Sequence, residues 1–190
     1  DDVESRGLGD VYKRQAIFWD LQGTLGGDAT GDIKDFQFYP FTYEALKLAS
    51  KKGYLNIILT NQSRIGAGKL TLEDYKEKVD GLRRELTQNK VEVKEILCCP
   101  HTKQDHCSCK KPKTGLMDLC VNKYAIDISK SYVIGDMGKN EVVMAHHAGA
   151  KSILVLTGAG VGSLNEFRET WKDYEADYIC LLYTSDAADE

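Results

Sequence analysis

The amino-acid sequence predicts an α/β fold, a doubly wound parallel sheet in a single domain with no large cap. Three observations carry this prediction. Short, continuous apolar runs recur along the chain, helical patterns lie between them, and most of the runs end at a polar residue or a glycine. Continuous apolar runs are typical of strands buried on both faces, as in parallel sheets. In such folds the functional side chains are expected where the strands end.

The individual elements follow from these patterns in chain order. The predicted strands are 16–19, 55–59, 93–98, 131–134, 152–156 and 178–179. The predicted helices are 43–52, 72–88, 115–123, 141–148 and 164–171. In the first helix we expect Ala45, Leu46 and Leu48 to face inward, and Gly53 ends the pattern.

The two ends of the chain differ from the rest. Read codon by codon, residues 10–15 resemble the mosaic end of a transposase-type sequencing adapter, and residues 180–190 read as the reverse complement of the partner adapter. The alternative is a natural basic arm and a natural acidic tail. We expect 1–15 and 180–190 to be adapter-derived and not biological, which leaves 16–179 as a domain truncated at both ends, from a metagenomic fragment.

The charge balance gives no indication of a nucleic-acid partner. The full chain has 29 acidic and 25 basic residues and a net charge of −4. Residues 16–179 hold 22 of each kind, so this part of the chain is neutral. No apolar run approaches the roughly 20 residues of a membrane span, so we expect no membrane association. The sequence leaves the oligomeric state open.

Four of the six cysteines lie within residues 98–109. This crowding predicts a metal site in a reducing compartment, and hence a cytoplasmic protein, because disulfide frameworks spread their cysteines along the chain. The C-x-H…C-x-C spacing favours one zinc ion on a single loop. The predicted ligands are Cys99, His101, Cys107 and Cys109. Cys98 or His106 is an alternative to one of them, and a metal-free thiol cluster is the other interpretation.

Side chains typical of a phosphoryl-transfer site follow three of the predicted strands. Asp20 follows the first, Thr60 the second and Asp136 the fourth, while Lys111 follows the cysteine-rich loop. A carboxylate can attack phosphorus, a hydroxyl and an ammonium group can hold phosphoryl oxygens, and two carboxylates can bind Mg²⁺. Each residue alone is also typical of an ordinary loop. Their combination at strand ends predicts a site for phosphate esters.

Three motifs give the chain a resemblance to a known superfamily. They are T-N-Q-S at 60–63, C-P-H…C-S-C-K-K-P at 99–112, and G-D at 135–136 leading to A-G at 148–149. With them the chain resembles the haloacid dehalogenase superfamily, subfamily IIIA, in the zinc-bearing branch that includes heptose-bisphosphate and histidinol-phosphate phosphatases. The resemblance implies a hydrolase of carbohydrate metabolism that needs Mg²⁺, carries structural Zn²⁺ and acts on a small phosphorylated metabolite.

The resemblance also implies roles for individual residues. The implied catalytic residues are Asp20 as nucleophile, Gln22, Thr60 and Lys111. The implied substrate contacts are Gly23, Thr24, Asn61, Arg64 and Lys110. The implied Mg²⁺ ligands are Asp20, Asp136 and the carbonyl of Gln22, and the implied zinc ligands are those given above.

Several positions depart from the superfamily's pattern. Gln22 stands where an aspartate usually protonates the leaving group and then activates water, a role worth roughly 10²–10⁴-fold in rate. Asn140 stands where an acidic residue is usual, with Glu141 beside it, which alters the outer shell of the metal. Arg64 replaces a glycine at the substrate mouth, either as a clamp for a second anionic group or as a solvated loop residue. Lys110 replaces an arginine.

Two functions follow from this pattern. The favoured one is a Mg²⁺-dependent phosphatase that hydrolyses a sugar phosphate, such as a heptose bisphosphate, through an aspartyl-phosphate. The alternative is a catalytically weakened relative that binds phosphorylated metabolites or a protein partner, or else a histidinol-phosphate phosphatase. Gln22 divides these hypotheses, and we expect Gln22→Asp to raise the rate. Residues 25–32 carry no signature that identifies the substrate.

Overall fold

The computed structural model describes residues 13–181, and their six strands form one all-parallel sheet. The strands are β1 (Gln15–Trp19), β2 (Tyr54–Asn61), β3 (Glu95–Cys99), β4 (Tyr132–Gly135), β5 (Lys151–Val155) and β6 (Tyr178–Cys180). Their order across the sheet is β3-β2-β1-β4-β5-β6, so β1 lies inside the sheet and the later strands add outward on both of its sides. The predicted doubly wound α/β fold is therefore confirmed.

The six predicted strands are all present, with boundaries that differ by up to two residues. Most of the segments predicted to be adapter-derived, 1–15 and 180–190, lies outside the described residues. In their described part, Gln15 begins β1 and Cys180 ends β6. The origin of the two segments stays a prediction.

Within residues 13–181, six α-helices accompany the strands. They are α1 (Thr42–Lys51), α2 (Ser63–Gly66), α3 (Leu72–Gln88), α4 (Gly115–Tyr124), α5 (Val143–Ala148) and α6 (Gly160–Leu164). In α1, Leu46 is buried as expected, but Leu48 is 56% exposed, because two residues along a helix project to nearly opposite sides. Among the described helices, none combines the length and apolar character needed to cross a bilayer.

The predicted helix at 164–171 is wrong. α6 ends at Leu164, Asn165 leaves helical geometry with φ −106° and ψ −92°, and a 3₁₀ turn covers Arg168–Trp171. The buried Trp171 side chain explains the break, because its Nε1 donates to the Ser163 carbonyl at 3.0 Å. In a continuous helix that carbonyl would accept from the amide four residues further on.

Hydrophobic clusters cover both faces of the sheet. Along β1, Phe18 packs in one cluster with Ile57, Met117 and Met144, whereas the next residue, Trp19, packs in the other cluster. This alternation follows from the two-residue period of a strand. Each fully buried large apolar side chain stabilises the fold by about 1.5–3 kcal/mol. The packed sheet is therefore a rigid base for the residues that follow its strands.

The central strands bring three predicted site residues to one edge of the sheet. β1 pairs with β2 on one side and with β4 on the other. Asp20 and Asp136 directly follow β1 and β4, and Thr60 lies next to the last residue of β2. This edge is the point where the strand order reverses, which is where doubly wound sheets bind ligands.

Candidate active site

Asp20 lies at the centre of the site, where β1 ends. Its backbone amide donates to the Ile134 carbonyl at 2.8 Å, which ties this residue to β4. One carboxylate oxygen accepts from Lys111 Nζ, and the other accepts from Thr24 Oγ1 at 3.3 Å. The residue is 8% exposed. Its carboxylate is thus held in one orientation at the bottom of the pocket.

The Lys111 ammonium group is surrounded by oxygen acceptors. It donates to the Asp20 carboxylate, to the Leu59 carbonyl at 2.8 Å, and to the Glu141 carboxylate at 2.8 Å. Burial alone lowers the pKa of this lysine, but the two carboxylates outweigh that effect and hold its pKa above the ordinary value. Lys111 is therefore a permanent cation beside Asp20.

Asn61 fixes the backbone of Lys111. Its Oδ1 accepts from the Lys111 amide at 3.0 Å, and its Nδ2 donates to the Lys111 carbonyl at 3.3 Å. Asn61 also lines the pocket, as its predicted substrate contact requires. Since both ends of its amide are engaged, the contact that the structure records for this side chain is with Lys111.

Asp136 faces Asp20 across the Thr24 hydroxyl, which lies 3.3 Å from an Asp20 oxygen and 3.5 Å from an Asp136 oxygen. Burial raises the pKa of Asp136 to about 8, and the negative charges of Asp20 and Glu141 add to this. The amide of Ala159 donates to its Oδ2 at 2.7 Å. Two oxygen donors this close, with excess negative charge, suit a hard divalent cation.

Gly23 provides the space that brings the two carboxylates together. It has φ +85°, and a Cβ at this position would lie 2.2 Å from Asp136 Oδ2. A side chain here would displace Asp136. The turn after β1 therefore requires glycine both for its conformation and for the close approach of Asp136.

A π-helical turn, Gly138–Val142, precedes α5 where one helix over 141–148 is predicted. The wider turn directs Glu141 inward, where it is 2% exposed and accepts from the Met137 amide at 3.1 Å. Asn140 instead donates to Met137 Sδ at 3.3 Å. Burial raises the pKa of Glu141 to about 7. A buried carboxylate is thus present beside Asn140, within a π-helical turn.

Gln22 is engaged at both ends of its amide. Its Nε2 donates to the carbonyls of Asp28 and Gly31, at 3.3 and 3.0 Å. Its Oε1 accepts from Gln62 Nε2 at 2.8 Å, and the same nitrogen donates to Thr60 Oγ1 at 2.9 Å. Gln22, Thr60 and the loop after β1 are therefore linked in one network.

Arg64 and Lys110, two predicted substrate contacts, are held by protein groups. Arg64 forms an ion pair with Asp32 at 2.8 Å and is partly exposed, and its role as an anion clamp or as a solvated loop residue stays a prediction. Lys110 donates to the Ser63 hydroxyl and to the His101 carbonyl, the latter at 3.3 Å. The Lys110 side chain nevertheless lines the groove outside the pocket.

The catalytic pocket is small and opens into a larger groove. The pocket has a volume of about 50 Å³, and the groove has about 620 Å³. Ala29, Asn61, Lys111, Met137 and Asn140 line both. The basic residues along the groove are Lys103, His106, Lys110, Lys111, Lys113 and Lys139. Among the described residues that line the groove there is no acid, so it favours anionic ligands.

The cysteine-rich loop gathers four potential metal ligands. One atom from each of Cys99, His101, Cys107 and Cys109 lies within 4.8 Å of all the others. The Cys99 sulfur is 3.6 Å from that of Cys107 and 3.1 Å from that of Cys109. Zinc–sulfur bonds of about 2.3 Å in a tetrahedron give sulfur separations of nearly 4 Å, so the cluster is compatible with zinc.

The two alternative ligands lie elsewhere. Cys98 packs against the hydrophobic cluster on the other face of the sheet, together with Tyr75. His106 lines the groove and is not among the four clustered ligands. The geometry therefore favours the ligand set predicted first.

Sequence reasoning missed the roles of Gln62 and Glu141 and the clamp that Asn61 provides. Gln62 stands within the T-N-Q-S motif, and Glu141 stands next to a position already singled out. Their positions beside predicted site residues are the sequence signals that could have indicated them. The contacts themselves join residues far apart in the chain, so no local pattern indicates them.

Comparison with known proteins relates the chain to one group of hydrolases. Residues 108–180 match the family model described as HAD-hydrolase-like. The chain is 35% identical over 130 residues to a probable D-glycero-D-manno-heptose-1,7-bisphosphate 7-phosphatase of Thermoplasma volcanium, covering 67% of this chain and 88% of that protein. It is 32% identical over 163 residues to the D-glycero-beta-D-manno-heptose-1,7-bisphosphate 7-phosphatase of Haemophilus ducreyi, covering 80% and 89%.

A solved structure has the same fold. The D,D-heptose 1,7-bisphosphate phosphatase of B. bronchiseptica, crystallised with magnesium and phosphate, aligns with a TM-score of 0.77. The alignment covers 87% of this chain and 92% of that protein, at 24% identity. At this identity the likeness concerns the fold.

Proposed function

Because the chain belongs to the haloacid dehalogenase superfamily, as a phosphoric monoester hydrolase, we propose that it removes a phosphate group from a small sugar phosphate through an aspartyl-phosphate. A heptose bisphosphate is the favoured substrate. The observation that carries the proposal is the arrangement of Asp20, which faces the pocket with Lys111 on one carboxylate oxygen and Thr24 on the other. The names of the relatives support the choice of sugar.

In the first step a carboxylate oxygen of Asp20 attacks phosphorus, and the bond from phosphorus to the leaving oxygen breaks. Lys111 stays cationic and offsets the charge that gathers at the phosphoryl oxygens. Thr60, which also lines the pocket, would donate its hydroxyl hydrogen to one of these oxygens. In the second step water attacks the aspartyl-phosphate, which returns Asp20 and releases inorganic phosphate.

Mg²⁺ fits the donors on this edge of the sheet. Asp20 and Asp136, with the Gln22 carbonyl, would hold the ion. Glu141 forms an ion pair with Lys111. Three buried carboxylates against one lysine leave an excess of negative charge, as the raised pKa of Asp136 indicates. When bound, Mg²⁺ supplies positive charge to the phosphoryl group.

Structural Zn²⁺ fits the four clustered ligands on the loop that leads to Lys110 and Lys111. The ion would stiffen this loop, because the ligands are spread along it and no regular structure spans them. Lys110, which lines the groove, donates to the carbonyl of His101 in this loop. The conformation of the loop therefore affects the position of a side chain in the groove. Reduced thiols of this kind are suited to the cytoplasm.

The groove supports a substrate with more than one anionic group. It shares five lining residues with the catalytic pocket, and its basic side chains can hold a second anionic group. A bisphosphate places its second phosphate there. Residues 16–179 carry equal numbers of acidic and basic residues, so this excess of lysines is a local feature of the groove.

A catalytically weakened phosphatase is the second candidate, and Gln22 is the observation that favours it. A glutamine amide cannot donate a proton to a leaving oxygen or accept one from water. Here the amide is also occupied by Gln62 and by two loop carbonyls. A weakened enzyme would still bind phosphorylated metabolites through Thr60, Lys111 and Mg²⁺.

Phosphate release from a panel of sugar and amino-alcohol phosphates distinguishes these functions. The panel includes heptose bisphosphate, histidinol phosphate and an aryl phosphate, each with Mg²⁺ and with EDTA. We expect turnover with Mg²⁺ and none for Asp20→Asn, whereas Asp35→Asn, an exposed control outside the site, keeps wild-type turnover. Asp20→Asn at wild-type rate moves the site elsewhere. Binding without turnover favours the weakened enzyme.

A further inference from the structure

Gln22 and Gln62 form a chain of hydrogen bonds whose direction is determined by the groups at its outer end. The carbonyls of Asp28 and Gly31 can only accept, so the side of the Gln22 amide that faces them is the NH₂ group. The Gln22 oxygen consequently faces Gln62. Because an amide oxygen can only accept, Gln62 must present its own NH₂ group, 2.8 Å away.

The same Gln62 nitrogen lies 2.9 Å from Thr60 Oγ1, so the Thr60 oxygen accepts this hydrogen bond. A hydroxyl that accepts in this way keeps its own hydrogen for another partner. Among the described residues no acceptor takes that hydrogen, although Thr60 is 2% exposed. Thr60 lines the catalytic pocket together with Lys111.

We propose that Gln62 is a positioning residue that directs the Thr60 hydroxyl hydrogen into the pocket, where it donates to an oxygen of the transferring phosphoryl group. Gln22 fixes the orientation of Gln62 and thereby takes part in positioning. The inference rests on the proposed function, because it requires a phosphoryl group in the pocket. It extends that function to a residue with no direct contact to the substrate.

The surroundings of Gln62 make this role physically reasonable. Gln62 is only 2% exposed, so an alternative orientation of its amide would leave buried polar groups without hydrogen-bond partners. Its backbone amide donates to the Cys99 carbonyl at 2.7 Å, which anchors it to the end of β3. A preorganised donor of this kind costs no reorganisation when the phosphoryl group arrives.

The test is a double-mutant cycle between positions 60 and 62. Gln62→Glu preserves the size of the side chain but replaces the donor with an acceptor, so the Thr60 hydroxyl turns toward it and away from the pocket. Gln62→Met removes the donor without adding charge and serves if the glutamate variant fails to fold. Thr60→Val removes the hydroxyl, and Thr60→Ser retains it. Zinc content and Tm verify folding.

The measured quantities are the affinity for inorganic phosphate in the presence of Mg²⁺, by calorimetry, and kcat and KM on the best substrate of the panel. We expect Gln62→Glu and Gln62→Met to weaken phosphate binding and kcat/KM roughly tenfold or more, as the loss of a hydrogen bond to a charged group does. In the Thr60→Val background the same changes should have an effect of about twofold or less. In a Thr60→Ser background, which keeps the hydroxyl, the Gln62 substitutions should again weaken phosphate binding and kcat/KM roughly tenfold or more.

Equal losses in the wild-type and Thr60→Val backgrounds would overturn the proposal, because Gln62 would then act without the hydroxyl. Wild-type phosphate affinity in Gln62→Met, or in Thr60→Val, overturns it as well, and so does a wild-type protein that binds no phosphate. Phosphate binding that follows the expected cycle in a protein without turnover supports the positioning role and contradicts the proposed phosphatase function. The two ideas therefore fail separately.

Discussion

The ammonium group of Lys111 lies 2.8 Å from a carboxylate oxygen of Glu141, and both side chains are almost fully buried. The contact depends on the π-helical turn Gly138–Val142, which carries Glu141 to the inner side of the chain. Gly135 leaves the room it needs, since a Cβ there would lie 2.0 Å from Glu141 Cγ. Backbone geometry thus brings Glu141, and not Asn140, into contact with Lys111.

Replacing Glu141 by glutamine tests this pair. Lys111 would keep Asp20 as its only carboxylate partner among the described residues, and we expect a loss of about 1–3 kcal/mol, or roughly 3–10 °C in Tm, with a lower kcat/KM. The matched control is Asn140→Ala. Among the described residues, the Asn140 side chain donates to Met137 Sδ and not to Lys111. Denaturation by heat and steady-state kinetics measure both. A larger loss for Asn140→Ala than for Glu141→Gln would contradict the assignment.

The raised pKa of Asp136 predicts how pH affects stability in the absence of metal. Its pKa is about 8 in the folded protein and near 4 when unfolded, so between these values the native state binds more protons. The free energy of unfolding of the metal-free protein should therefore fall as pH rises from about 4 to 8. Glu141, with a pKa of about 7, acts in the same direction.

Mg²⁺ and the Asp136 proton compete, so the Tm gain from Mg²⁺ should increase over the same pH range. Scans of Tm from acidic to mildly alkaline pH, with and without Mg²⁺, measure this. Asp136→Asn is the control, and we expect it to flatten the metal-free profile and to abolish the Mg²⁺ effect. A Mg²⁺ effect that shrinks as the pH rises would show that the ion binds elsewhere.

The cysteine cluster predicts about one zinc ion in the purified protein. Cys107→Ala should lose that ion and several kcal/mol of stability, because metal binding and local folding are coupled. Cys98→Ala is the control, since Cys98 directly precedes the predicted ligand Cys99 in β3 but packs against the hydrophobic cluster on the other face of the sheet. Metal analysis and thermal melting distinguish the two variants. If the wild-type protein contains no zinc and Cys107→Ala has the same Tm, the zinc prediction is wrong and the four residues form a metal-free thiol cluster.

The arrangement of Asp20, Thr60 and Asp136 was predictable because each follows or ends a continuous apolar run. The hydrophobic pattern determines where strands end, and parallel strands bring their carboxyl ends to one edge. Residues of this kind are positioned by local sequence and by fold class. No homologous structure is needed to place them.

Other parts of the site depend on contacts that no local pattern records. Gln62 meets Gln22 across 40 residues, and Asn61 meets Lys111 across 50. The inward direction of Glu141 requires a one-residue change in helical register, which tertiary packing selects. For the same reason the helix predicted at 164–171 failed, because the burial of Trp171 overrides local helical spacing.

The substitution Gln22→Asp has two opposing effects: it adds a titrating group beside the reacting centre, and it removes hydrogen bonds that the Gln22 amide donates. An aspartate can protonate the leaving oxygen and activate water, a gain of roughly 10²–10⁴-fold where the leaving group is poor. It cannot donate to the carbonyls of Asp28 and Gly31, which leaves both without the amide that Gln22 supplies. We expect kcat to rise most on alkyl phosphates and least on aryl phosphates.

The same substitution should lower Tm slightly, because the partly buried Gly31 carbonyl loses its hydrogen bond from Gln22, and such a bond contributes about 0.5–1.5 kcal/mol. Gln22→Glu is the control: it is a longer carboxylate that also lacks the donor, so it should share the loss of Tm without the same placement for proton transfer. Rates on a leaving-group series, measured beside Tm for all three proteins, separate the two effects. If Gln22→Asp slows hydrolysis of every substrate, the network around Gln22 contributes more to catalysis than a titrating group would, and the glutamine is an adapted residue of an active enzyme.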